Sequence, residues 1–353
     1  MIRKLNAWWI MLKNVGDTLR MGRQIDQLFR YYILETFVEE GLFDYLKEPR
    51  TYGQILAEFN YVDNDYTRGL FEVLASDKHN VIIKEDQVYR TNPDESVPEL
   101  SDIVGGMTKR YHNFGLMAKG MARYIPPRLR GEPIELSDTF EQDGRQLMTK
   151  FDKTLGSKVY AASRDAAFAL LTNDERKYLR GKKLLEVGCG SGRETAELWL
   201  KAGGDIQITA IDPILSLLEL AQHHFADYLD EIEHGHPALT DANRPVFKPH
   251  SATNLPYEDN SFDVVFHAFV LHWTPDPQKA ISEMIRVLKP GGLVFGLQPT
   301  KPAANPYFDL VVRINESVHG FFWVEEFRRW YAEQGVMLET MTPITIFRGH
   351  KPG

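Results

Sequence analysis

Cysteine is almost missing from this chain. The single thiol among 353 residues, Cys189, excludes an intramolecular disulfide and a thiolate zinc cluster, and it is in keeping with a reducing compartment. Long apolar runs are missing too. The stretch Leu5 to Leu12 is cut by Asn6 and closed by Lys13, short of a signal sequence, and nowhere do the ~18 apolar residues of a membrane span occur in a row. A cytoplasmic protein is the expectation. Positive charge is in deficit, with 41 Lys and Arg against 49 Asp and Glu and a net charge of −8, so no global basic footprint for nucleic acid exists. Internal repeats and low-complexity tracts are also lacking. What remains, 43% hydrophobic and 25% charged residues, is ordinary for a globular protein, and at roughly 100–200 residues per domain the length predicts two domains.

The chain divides by pattern. Ile25, Leu28, Phe29, Tyr32, Ile33 and Phe37 recur at helical spacing, and Gly41 is expected to break that helix from the next. Thr51 reads as the N-cap of a short helix, a third helix covers about Tyr66 to Leu74, and Val81–Ile83 with Gln87–Tyr89 read as a hairpin. Three helices and a hairpin are the order of a winged helix. Residues 1–125 nevertheless hold 16 Lys and Arg against 18 Asp and Glu, and the helix that would enter a major groove offers Arg68 and Lys78 against Asp65, Glu72 and Asp77. A protein partner is expected for it, not DNA. The Pro- and Gly-containing stretch after Tyr124 begins a connector over residues 126–155, with helical character resuming near Leu147. From Lys182 onward strand and helix patterns alternate, which predicts a mostly parallel sheet covered on both faces across residues 156–353.

The sharpest feature is Leu184-Leu185-Glu186-Val187-Gly188-Cys189-Gly190-Ser191-Gly192-Arg193, an apolar strand running through alternating glycines into a helix. Glycine is needed where backbone turns tightly and where a ligand lies against main chain. A second strand, Ile208 to Ile211, ends in Asp212, 20 residues beyond Gly192. At that spacing a carboxylate accepts hydrogen bonds from both ribose hydroxyls. The glycine spacing is G-x-G-x-G, not the G-x-G-x-x-G of dinucleotide sites, and Arg193 stands where a third dinucleotide glycine would fall. Glu186 would repel a pyrophosphate but suits the ammonium of an amino-acid moiety.

These residues resemble the class I S-adenosylmethionine-dependent methyltransferases. Three further segments carry the resemblance: Ser251-Ala252-Thr253-Asn254-Leu255-Pro256-Tyr257, Ser261-Phe262-Asp263-Val264-Val265, and Arg286-Val287-Leu288-Lys289-Pro290-Gly291-Gly292. More loosely, Glu40 to Leu46, Thr51 with Ile55-Leu56-Ala57, and Tyr89-Arg90-Thr91 resemble the winged-helix dimerisation domain of small-molecule O-methyltransferases. The resemblance implies an α/β fold, a Rossmann-like seven-stranded sheet with an N-terminal, mostly helical winged-helix domain, and a homodimer. It implies S-adenosylmethionine as cofactor, held by Glu186, Gly188, Gly190, Gly192, Asp212, Pro213, Ser251, Ala252 and His267. Ser251 takes the place of the family's usual aspartate, and its hydroxyl can still accept the adenine amino group.

Methyl transfer from a sulfonium is an in-line displacement that needs a base only when the acceptor carries a proton. His272, in Val270-Leu271-His272-Trp273, follows the fourth strand of the methyltransferase sheet and is the candidate base; the O-methyltransferases carry a catalytic histidine in a comparable segment. Tyr160, Phe269, Trp273, Phe308 and Phe322 are expected to line a pocket for a hydrophobic or planar acceptor. Tyr160 and Arg164, on the helix preceding the glycine turn, are candidates to touch the cofactor or cover the pocket, and they read equally well as an ordinary helix face. No metal site is expected, since His223, His224, His234, His236 and His250 lack metal-ligand spacing. Asn305-Pro306-Tyr307-Phe308 is similar to the box that grips planar amines in other methyltransferases but sits at the wrong place in the chain. O-methylation of a small metabolite leads; C- or S-methylation and a non-catalytic cofactor-binding regulator are the alternatives.

Overall fold

A computed structural model describes residues 2–76, 80–104, 112–135, 152, 155–342 and 344–353. The helical start expected near Leu147 lies outside them. The chain forms two units, one of residues 19–139 and 305–320, the other of residues 1–18, 140–304 and 321–353. This differs from a division at residue 125 in three places. Residues 126–139, expected to begin a connector, belong to the first unit, where the helix Ile125–Leu129 buries Ile125, Pro126 and Leu129, and two other helices change units for packing reasons. The first helix, Ile2–Lys13, buries Ala7 and Met11 against Ala166, Ala169 and Leu170 of the helix Lys158–Leu170, so it belongs with the sheet. The helix Pro306–Val312 instead packs with the N-terminal helices, where Phe308 stacks on Phe29 with ring centroids 4.9 Å apart.

In the N-terminal unit the helix Val15–Glu39 buries Leu28, Phe29, Ile33 and Phe37, and Gly41 (φ +79°) ends that run before Leu42–Tyr45. Thr51 caps the helix Tyr52–Phe59 as a reciprocal box. Gln54 donates its backbone N–H to the threonine hydroxyl at 3.3 Å, and the Thr51 N–H returns to Gln54 Oε1 at 2.8 Å. The helix Asp65–Ser76 follows. Strands β1 (Arg50–Thr51), β2 (Ile82–Glu85) and β3 (Val88–Thr91) form an antiparallel sheet in the order β1-β3-β2.

The second unit is built on seven strands: β4 (Lys183–Val187), β5 (Gln207–Ile211), β6 (Val246–Lys248), β7 (Phe262–Ala268), β8 (Leu288–Gln298), β9 (Glu339–Met341) and β10 (Thr345–His350). Their order is β6-β5-β4-β7-β8-β10-β9, with the first five parallel and β10 antiparallel to both of its neighbours. Alternation along each strand feeds two cores. Leu184, Val264, Phe266 and Phe295 pack with Trp199 and Phe225 on one face, while Leu185, Val187, Val265 and Val294 pack with Ile281, Met284 and Phe327 on the other. The register pairs Val187 with Ile211 and His267, and Ala268 with Leu297. The carboxyl ends of β4, β5, β7 and β8 are therefore level. The glycine turn, Asp212 and the turn that holds His272 leave the sheet at this edge, whereas residues 261–265 and 286–292 lead into β7 and β8 at the opposite one. Among the described residues no helix is long and apolar enough to cross a membrane.

Candidate functional site

Two kinds of group meet the carboxyl edge. On the β4–β5 side stands the glycine turn. Gly188 has φ +73°, and a Cβ there would lie 2.2 Å from Val270 Cγ2, so the position admits glycine alone. Gly190 (φ +52°) faces open space, where its bare backbone is accessible to a ligand. Ser191 and Arg193 hold the turn from behind. The serine hydroxyl donates to Asp152 Oδ1 at 2.7 Å, and Arg193 pairs with Asp152 at 3.4 Å and Glu231 at 2.9 Å while lying over the Tyr228 ring. Asp152 is a site residue that spacing did not announce, because its partners are about 40 residues away in sequence.

Asp212 is buried and accepts two backbone N–H groups, from Gly190 at 3.0 Å on Oδ2 and from Ile214 at 2.9 Å on Oδ1. Each oxygen keeps a second lone pair for a hydroxyl. Burial lifts this carboxyl to about 6, against the opposing effect of those two donors. Glu186, 1% exposed, is lifted further, to about 8, chiefly by burial. Its Oε2 has no hydrogen-bond partner. A buried carboxylate oxygen without a donor costs free energy and calls for a cation or a donor to satisfy it. Glu186, Gly190 and Asp212 together thus fit a molecule that combines an ammonium group with a ribose, which is the chemistry of S-adenosylmethionine.

Arg164 takes neither of the roles considered for it. It is 2% exposed and forks onto both oxygens of Glu197 at 2.7 and 2.6 Å, with Glu194 at 3.1 Å and the Leu155 carbonyl completing its shell. It ties the helix before the glycine turn to the helix after it, Arg193–Lys201. Pro213 is exposed beside Asp212. Ser251 is exposed as well, its hydroxyl 2.9 Å from that of Thr253, whereas the Ala252 methyl packs into the core.

The β7–β8 side carries the histidines. His267 was expected to touch the cofactor, but it is fully buried among Phe327, Tyr331 and Phe347, with Nε2 2.8 Å from the Tyr331 hydroxyl. Strand alternation puts it on the face opposite Glu186, so its role is packing. His272 lies in the 3-10 turn Leu271–Trp273, 2% exposed, stacked on Phe321 at 4.4 Å and 17°. Burial lowers both imidazoles to about 3, so both are neutral near pH 7. Gln298, at the end of β8 and not foreseen from sequence, reaches His272 Nδ1 with its Nε2 at 3.1 Å.

The aromatic residues expected in the acceptor pocket separate. Tyr160 and Phe269 meet edge to face at 5.4 Å, and Phe269 has an unusual φ of +54° where the chain leaves β7. Trp273 neighbours His272 at 5.5 Å. Phe322 is 1% exposed and packs on Trp330 and Phe327 in the core on the β7–β8 side. Phe308 stacks on Phe29 within the N-terminal unit. Asn305 explains the misplaced motif. Its side chain caps the following helix, accepting the N–H groups of Tyr307 and Phe308 at 2.7 and 3.0 Å.

An α/β sheet whose glycine turn and strand-end acid suit a nucleoside with a charged amino-acid arm defines a cofactor-binding class. The family model that matches, over residues 185–296, is described as a methyltransferase domain. A demethylmenaquinone methyltransferase of Staphylococcus epidermidis is 35% identical over 144 residues, covering 40% of this chain and 54% of the relative. One of Staphylococcus aureus is 33% identical over 179 residues, covering 44% of this chain and 68% of the relative. A crystal structure of the CurJ carbon methyltransferase shares the fold at a TM-score of 0.68 and 17% identity, over 96% of this chain and 94% of that one. The chain belongs to the class I S-adenosylmethionine-dependent methyltransferase family, whose cofactor is S-adenosylmethionine. It spans about half the length of the Staphylococcus epidermidis relative.

Proposed function

We propose that this protein transfers the methyl group of S-adenosylmethionine to a small hydrophobic acceptor, at carbon in preference to oxygen. The observation that carries the donor half is the partnerless Glu186 oxygen buried beside the glycine turn and Asp212. When bound, the cofactor supplies an electrophilic methyl on a sulfonium. Glu186 neutralises the ammonium, Asp212 takes the ribose hydroxyls, and the Gly190 backbone admits the ligand without a side chain between. Relatives named for demethylmenaquinone support an apolar acceptor, and the resemblance over nearly the whole chain to a carbon methyltransferase supports carbon. O-methylation, with His272 as base, is the second reading.

Incubating the protein with carbon-13-methyl cofactor and candidate quinols and β-dicarbonyls, followed by NMR of the product, tests both readings. A carbon-bound methyl is expected, and a methoxy product would replace the first reading with the second. Cofactor binding without transfer to any acceptor would favour a regulatory protein. Self-association through residues 1–125 belongs to the same proposal. It is supported by exposed Leu19, Val38 and Leu116, and light scattering of the full chain tests it.

A further inference from the structure

His272 and Gln298 form a pair whose protons can be assigned from backbone geometry. Gln298 is fully buried, and its amide has three partners. Oε1 accepts the Leu271 N–H at 3.1 Å, and Nε2 donates to the Pro299 carbonyl at 3.0 Å and approaches His272 Nδ1 at 3.1 Å. Backbone groups cannot change roles. Turning the amide over would set its NH2 against the Leu271 N–H and its oxygen against the Pro299 carbonyl, two repulsive contacts at a fully buried side chain. Nε2 of Gln298 is therefore the donor, and His272 Nδ1 must be the nitrogen with the lone pair. A neutral imidazole carries one proton, which leaves it on His272 Nε2. The ring has little freedom to turn, because Phe321 stacks on it at 4.4 Å.

We propose that Gln298 is a positioning residue that holds His272 in the Nε2–H tautomer, so that the imidazole serves methyl transfer as a hydrogen-bond donor to an acceptor oxygen and not as a base. The role rests on the methyl-transfer reading above; the tautomer does not. With Nε2 already protonated, the one basic lone pair of the ring is that on Nδ1, and the Gln298 N–H occupies it, so none is left to take a proton from the acceptor. The acceptor must then reach the site as an anion, having lost its proton to solvent, which selects compounds of intrinsic acidity such as β-dicarbonyls and quinols. With S-adenosylmethionine bound, the acceptor anion would supply the electron pair of the new C–C bond and the sulfonium would keep the pair of its broken S–C bond; a β-dicarbonyl enolate loses no proton in that step, whereas a C-methylated quinol would afterwards give up its ring proton to solvent as the ring regains aromaticity. The Nε2–H steadies the enolate oxygen while its charge is withdrawn toward carbon.

The test uses the full chain, labelled with nitrogen-15 histidine, and assigns the His272 resonances by their loss in His272→Ala. Long-range nitrogen–proton correlation spectra distinguish the two neutral tautomers of an imidazole. Wild-type His272 is expected to show the Nε2–H pattern near pH 7. Gln298→Glu replaces the donor by an acceptor and is expected to move the proton to Nδ1. Gln298→Met removes the donor at similar volume and is expected to give a mixture of tautomers, and it decides the matter should the glutamate variant not fold. A wild-type Nδ1–H pattern, an imidazolium, or an unchanged Nε2–H pattern in the folded variants would each overturn the proposal.

Turnover adds a second arm once an acceptor is known. His272→Gln retains a side-chain N–H and is expected to stay within about tenfold of wild type, while His272→Ala falls by about 100-fold or more. Equal losses in both variants would overturn the donor role. Since the spectra need no acceptor, a failed tautomer assignment is distinguishable from a failed assignment of the reaction.

Discussion

The two sides of the sheet's carboxyl edge respond to one physical condition in opposite ways. At β4 and β5, burial lifts the carboxyls of Glu186 and Asp212 to about 8 and about 6. At β7 and the turn after it, burial lowers His267 and His272 to about 3. Desolvation disfavours charge whatever its sign, so acids are raised and imidazoles lowered. The difference lies in what each side leaves unsatisfied. Glu186 keeps a bare oxygen and Asp212 keeps spare lone pairs, which a cationic, hydroxylated ligand completes. His272 is already held through Nδ1 and His267 through Nε2; the other His267 nitrogen, Nδ1, has no partner either, but that ring is packed among Phe327, Tyr331 and Phe347 on the face opposite Glu186. The cradle side is built to acquire charge on binding, and the histidine side to remain neutral throughout.

The contrast breaks most severely at Arg164. Replacing it by Met leaves Glu197 and Glu194 without their cation, and breaking a buried pair of this kind costs about 3–5 kcal/mol. Urea denaturation should register that loss, and hydrogen exchange should place the earliest opening in the helices flanking the glycine turn. Asp212→Ala comes next. Removing its hydrogen bonds to the ribose should weaken cofactor binding by about 1.5–3 kcal/mol, measured by calorimetry. Unchanged affinity would remove the cradle from the comparison altogether.

The pH dependence sharpens the comparison further. The Glu186 carboxyl stands above its ordinary 4.5, so the cofactor-free protein carries it protonated below about pH 8. An ammonium favours the ionised form, so binding should release a proton. Affinity should rise with pH up to about 8 and then level off, by at most about tenfold per unit. The stability of the cofactor-free protein runs the other way: a raised carboxyl pKa favours the folded state at low pH, and that contribution is lost as pH rises from about 4.5 to about 8. Calorimetry in buffers of different ionisation enthalpy counts the proton, and a pH-independent affinity would show that Glu186 does not meet the ammonium. The smallest effect is expected from Tyr331→Phe, which strips the hydroxyl partner from His267. Stability should fall by about 1 kcal/mol with cofactor affinity unchanged. A marked loss of affinity there would return His267 to the cofactor site.

Sequence alone determined the parts of this protein in which one local stretch carries the whole physical argument. Gly41 as a break, Thr51 as a cap, the strand–glycine–helix turn, and Asp212 at the end of its strand all follow from backbone conformation and spacing within a few tens of residues. The alternating pattern after Lys182 likewise reads directly as a sheet covered on both faces. Only the tertiary structure decided matters that turn on which distant segments meet. Phe322 and His267 look like site residues in a linear reading, yet strand register and helix packing enclose them. The first helix and the helix after Asn305 changed units because apolar faces pack on whatever surface they fit, not on their sequence neighbours. Asp152 and Gln298 were invisible because a single Asp or Gln in a chain of 353 acquires meaning only from the atoms set opposite it. The proton on His272 is the extreme case: it is fixed by a backbone N–H and a carbonyl at the two ends of an amide 26 residues away, through hydrogen bonds that exist only once β7 and β8 lie side by side.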